Sequence, residues 1–187
     1  MRCTIEEYGK VAEITGFCGV LFSRVDVFLK ANRQQAHNGV EIQFFDAELI
    51  ATSDHLYFAT LNALQVHQNQ TNISKTIAVE TMLYASAKRQ IQKAINQIGV
   101  KPDSKTTAVV IVSSSERQVQ EMLEELTAYL GVEPDDSVLD LTPIKVEKIR
   151  AAFQINDREI ETATQTTLEA ALVDLIVEHV ALLATQL

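Results

Sequence analysis

Residues 107–112 read TAVVIV, and SSSERQ (113–118) follows at once. β-Branched or apolar at every position, the run suits a buried central strand. Ser114 or Ser115 can cap a helix after it, which Gly131 would stop. A buried strand feeding a helix sets the class, because a sheet face must be covered by another layer. Working outward, residues 8–18 (YGKVAEITGFC) read as a strand with Val11, Ile14 and Phe17 in partial alternation. Residues 40–46 (VEIQFFD) read as another, with Val40, Ile42 and Phe44 on one side.

Helices fill the rest. Ser23 can cap one through about Asn38, with Gly39 as its stop. Thr52 or Ser53 starts the next, through about His67, before the polar linker HQNQTN (67–72). A helical stretch covers about 74–98, broken near Ser86. Thr142-Pro143 gives an N-cap with proline at the first helical position, opening a helix through Phe153. A last helix is expected from about Thr162 to Ala184. The expected fold is α/β (α+β): one domain over 1–187, with a small mixed sheet packed against several helices. Scarce Gly (6) and Pro (3) speak against a turn-rich all-β chain.

Composition excludes several classes. With 47% hydrophobic and 22% charged residues, the chain carries enough apolar surface to offset the entropy of ordering. No run approaches the roughly 18 apolar residues of a membrane span. MRCTIEEYGK lacks a charged-then-apolar signal region, and Cys3 and Cys18 make no disulfide framework, so a cytoplasmic setting is expected. The net charge of −9 opposes non-specific adhesion to nucleic acid or anionic membrane. The charge is uneven, however. Lys88, Arg89, Lys93, Lys101 and Lys105 face Asp103 alone within 88–105, whereas 116–140 is strongly acidic.

Catalytic templates are missing, and no metal or cofactor is expected. Gly16 and Gly19 fit neither phosphate-loop nor dinucleotide spacing. His37, His55, His67 and His179 are scattered, without a zinc-ligand pair. Ser113–Ser115 could edge a pocket but read better as helix capping. Glu124 and Glu125 are adjacent on a helix and do not face each other, so they read as a solvated face. Cys18 has no assignable base and reads as a small buried hydrophobe. His55, in the first turn of its helix, reads as a local hydrogen-bonding residue.

Two helices carry more than a core stripe. In the second half of 74–98, Ile91, Ala94, Ile95 and Ile98 form a narrow apolar stripe. Arg89, Lys93 and Asn96 share the far side with Lys88 at its edge, a basic set flanked by amides that suits phosphate and base contacts. Arg89 and Lys93, four apart, would sit one above the other on a continuous helix. In the last helix, Leu168, Leu172, Leu175, Ile176 and Leu183 form the expected core face. Val173, Val177, Val180 and Ala184 lie roughly opposite, beside the acidic seam of Asp174 and Glu178. A terminal helix apolar on two sides is either sandwiched or meets a partner.

His55-Leu56 with Ala59 and Ala63, followed by AVETMLYASAKRQIQKAINQIGV (78–100), resembles the PRPK-binding protein family. The likeness covers about residues 40–185, including IKVEKIRAAFQIND (144–157), and is sharpest from Glu80 to Gly99. In the family a glycine often occupies the break where this chain has Ser86-Ala87. The resemblance implies a small non-catalytic subunit of the KEOPS (EKC) complex, which installs threonylcarbamoyl-adenosine on tRNA. It implies docking on the complex's kinase-like ATPase, here through Val173, Val177, Val180 and Ala184. It also implies tRNA binding at the 3′ CCA end, here through Lys88, Arg89, Lys93 and Asn96, with no membrane and no metal. Two alternatives stay open: a small-ligand-binding protein or enzyme using Ser113–Ser115 and His55, and a homo-oligomeric scaffold pairing through the last helix.

Overall fold

The computed structural model describes residues 1–32, 39–163 and 167–185. Its strands are β1 (Arg2–Ile5), β2 (Lys10–Cys18), β3 (Glu41–Asp46) and β4 (Thr106–Ser113). The TAVVIV run is the heart of β4, which lies between β2 and β3 in the order β1-β2-β4-β3. The mixed α/β class is as expected, but every pairing is antiparallel where a mixed sheet was expected. β1 was not anticipated. It pairs Arg2 with Glu13 and Ile5 with Lys10 through a tight turn closed by Gly9 in the left-handed region.

The helices among the described residues are α1 (Phe22–Asn32), α2 (Ser53–Gln68), α3 (Ile77–Ala85), α4 (Ile91–Ile98), α5 (Glu116–Leu130), α6 (Pro143–Phe153), α7 (Asp157–Thr162) and α8 (Leu168–Leu182). Strand alternation sorts them into two layers. Ala108, Val110 and Val112 join Ala12, Ile14 and Phe45 in the larger core with α2, α3, α4, α6 and α8. Val109 and Ile111 join Phe17 and Phe44 in the smaller one with α1 and α5. β4 is therefore covered on both faces, as its uninterrupted apolar run requires.

Gly16 is the point of closest approach on the larger-core face. A Cβ there would lie 2.0 Å from Val138 Cγ2, and the Gly16 carbonyl accepts the Asp135 N–H at 2.7 Å. The 3-10 turn Asp136–Leu139 can cross β2 because position 16 has no side chain.

Two expected boundaries move. The 23–38 helix is described to Asn32, and its expected remainder, 33–38, lies outside the described residues. The expected 162–184 helix is divided: α7 opens on a capping box between Asn156 and Glu159, and α8 begins at Leu168 behind the Thr167 cap. Residues 164–166 of that expected helix lie outside the described residues.

Candidate functional site

The segment from Ile73 to Gly99 is built by side chains that hold backbone groups. Glu80 is buried, and its carboxylate accepts the N–H groups of Ile73 and Ser74, at 3.0 and 2.6 Å for Oε2. Thr76 caps α3 by accepting the Val79 N–H. At the far end the Lys88 N–H bonds the Leu83 carbonyl and the Ala87 N–H bonds the Tyr84 carbonyl, with Ala87 at φ 52°. This is the left-handed helix stop that glycine usually occupies. It accounts for the break between α3 and α4.

The break changes how the basic residues are presented. Arg89 precedes Gln90, the N-cap of α4, so it is not on one helix with Lys93. The expected one-above-the-other stacking of Arg89 and Lys93 does not form, because Ala87 turns the chain away first. Arg89, Lys93 and Asn96 are exposed and Lys88 is half-buried. Gln92 Nε2 donates to Asn96 Oδ1 at 2.9 Å. Arg89 lies close enough to Tyr84 to favour its phenolate, although burial and Glu80 together raise the phenol's pKa.

The apolar stripe of α4 is split. Ala94 and Ile98 enter the core, while Ile91 and Ile95 remain 43% and 42% exposed. Both line a cavity of about 460 Å³ between α1, β3, α3 and α4, with Phe22, Phe44 and Met82 also on its wall. Sequence reasoning missed this cavity. Four apolar positions on an eight-residue helix were the available signal, since two suffice to anchor it.

On α8, Leu172, Ile176, Val180 and Leu183 are buried. Each such side chain stabilises the fold by roughly 1.5–3 kcal/mol. Val180 is 0% exposed, which corrects its place on the outward face. It sits four residues beyond Ile176, so the two stack on one side of the helix. Val173 is half-buried against the core, Val177 is half-buried, and Ala184 is exposed in the 3-10 turn Leu183–Thr185. Leu168, expected in the core, is 40% exposed, and Leu175 is half-buried. The outward face is therefore Val177, Ala181 and Leu182 beside Asp174 and Glu178.

The remaining polar candidates have structural roles. His55 is fully buried between the Ala51 N–H and the Ala85 carbonyl. Ser113 Oγ donates to Gln118 and accepts the Ser115 N–H, so it organises the start of α5, while Ser115 itself makes no side-chain cap bond. Glu124 and Glu125 are exposed, as a solvated face requires. Cys18 is exposed, which corrects its reading as buried; it is the last residue of β2, at the sheet's rim. Buried Lys145 donates to the Val138 carbonyl at 2.9 Å, and burial lowers its pKa to about 8 against the pull of Glu48, Asp140 and Asp46. Among the described residues no group of three or more His, Cys, Asp or Glu could hold a metal ion, and no helix could cross a membrane.

A fold with an adapter's features and no catalytic constellation fits what the comparisons find. The family model "Kinase binding protein CGI-121" matches residues 25–184, and the chain belongs to that family. It is 29% identical over 126 residues to the "Regulatory protein Cgi121" of Methanocaldococcus jannaschii, covering 67% of this chain and 79% of the relative. It is also 29% identical over 138 residues to the "EKC/KEOPS complex subunit CGI121" of Candida glabrata, covering 71% and 76%.

Proposed function

We propose that this chain is a non-catalytic subunit of a KEOPS-type complex that docks on a kinase-like ATPase and holds tRNA by its 3′ CCA end. The observation that carries the reading is membership of a kinase-binding family, over residues 25–184, by a chain with relatives named as regulatory and KEOPS subunits. Two surfaces support it. Val177 and its α8 neighbours give an apolar outward patch with an acidic seam, suited to a protein partner. Lys88, Arg89, Lys93 and Asn96 give a basic, amide-flanked edge on a protein of net charge −9, suited to phosphate contacts. The chain acts as one domain in the cytoplasm and needs neither metal nor cofactor.

Capture of partners by the full chain from its native lysate, with protein and RNA both identified, tests the reading. The expected result is a kinase-fold ATPase together with tRNA. Recovery of neither, or ATP hydrolysis by the isolated chain that survives further purification, would refute it.

A further inference from the structure

We propose that the cavity between α1, β3, α3 and α4 is a nucleobase site, receiving one unstacked adenine whose amino group donates to Asn32. The cavity, about 460 Å³, falls within the range of small-ligand sites. Phe22 and Phe44 lie on its wall with Ile91, Ile95 and Met82, giving a planar heterocycle aromatic and aliphatic surface.

Asn32 decides the chemistry. It lines the cavity and is 7% exposed. Its Nδ2 donates to the Phe28 carbonyl at 3.1 Å, which fixes the amide's orientation. Oδ1 therefore points the other way, and this buried acceptor has no hydrogen-bond partner. A buried acceptor without a donor is unfavourable, and an entering N–H group removes the deficit. The charged residues on the wall are Asp26 and Glu41, both carboxylates. An anionic head group is thus repelled from the interior, and a plain hydrocarbon would leave Oδ1 unsatisfied. A neutral aromatic ring with an exocyclic amino group meets both conditions.

The base can come from a free adenosine nucleotide or from the terminal adenosine of an RNA. The RNA source rests on the tRNA reading above; the nucleotide source does not. Calorimetric titration of the full chain separates them, using adenosine monophosphate, purine-riboside monophosphate, and tRNA ending in adenosine or in purine riboside. Purine riboside lacks the amino group. Loss of a hydrogen bond to Asn32 is expected to weaken binding about fivefold or more. Asn32→Leu should remove the preference by weakening the adenosine ligand to the level of the purine one. Discrimination among mononucleotides assigns the site to free nucleotide, and discrimination by tRNA ends alone assigns it to RNA. Binding of tRNA with equal affinity for both ends overturns the base site and leaves the tRNA reading standing. Discrimination between mononucleotides without any tRNA binding keeps the site and overturns that reading. Discrimination that persists in Asn32→Leu, or no binding of any probe, also overturns the proposal.

Discussion

His55 Nε2 lies 2.8 Å from the carbonyl oxygen of Ala85, the last residue of α3. A carbonyl cannot donate, so Nε2 carries the proton and Nδ1 accepts the Ala51 N–H at 3.2 Å. One neutral ring thus ties the start of α2 to the point where α3 stops. The basic segment 88–93 is presented from that fixed end.

That geometry predicts a pH dependence. Burial lowers the His55 pKa from 6.5 to about 4; the Ala85 bond opposes the shift and Lys145 adds to it. Between those values the unfolded chain binds more protons than the folded one. The contribution is fully present above about pH 6.5 and is lost as pH falls toward 4. From pH 7 to pH 4 the natural chain should lose ~3 kcal/mol more than His55→Gln in denaturant titrations. Parallel stability curves for the two proteins would contradict this.

Ala87 pays a conformational penalty at φ 52° that glycine would not. Ala87→Gly should stabilise the protein by about 0.5–1 kcal/mol. The melting temperature should rise by about 2–4 °C per kcal/mol for a chain of this size. Gln70 and Gln154 end α2 and α6 at φ 57° and 59°, with the same paired bonds back into their helices. Glycine at each should act in the same direction, and the sites are separate enough for the gains to add. A lower melting temperature for Ala87→Gly would show that its side chain has a role beyond the turn.

The two sides of α8 should separate in paired measurements of melting and partner binding. Val180→Arg places an unpaired charge in the core and should cost several kcal/mol, enough to compromise folding. Val177→Arg should change stability by less than about 1 kcal/mol, since that position is partly wet already. It should nevertheless abolish binding to the kinase-like subunit, which would have to desolvate the arginine. If Val177→Arg melts as low as Val180→Arg, α8 is internal and docking lies elsewhere.

Replacing Arg89 and Lys93 by glutamate should weaken tRNA binding with the fold intact, as judged by circular dichroism. Each lost phosphate contact should also flatten the slope of log affinity against log salt by roughly 0.7–0.9. Removal of the CCA end should weaken binding as well. Unchanged affinity in both experiments would leave these side chains as solubilising groups.

How much was legible follows the strength of each local pattern. β4 was readable because burial on both faces leaves an unbroken apolar run. β1 was not: in RCTI only Ile5 is buried, and the strand exists because β2 offers it an edge. The α3–α4 break was visible near Ser86, yet the left-handed Ala87 that moves Arg89 off the helix has no signature in an alanine. The faces of α8 were misjudged because a helix apolar nearly all round has no preferred angle until α2 packs on it. Val180 was assigned outward on that ground. The basic residues were legible as residues, and the cavity beside them was not, since it joins α1 and β3 to α4 across some 70 residues of chain.

The placement of β4 between β2 and β3 also bears on synthesis. Both flanking strands leave the ribosome before the strand that joins them. At 5–20 residues per second, the gap between Asp46 and Ser113 lasts roughly 3–13 s. Throughout that interval β3 has no strand neighbour, and Phe44 and Phe45 have no core to enter. Nascent chains ending before Thr106 are therefore expected to be protease-sensitive and in need of a chaperone, and resistance should set in abruptly once residue 113 has emerged.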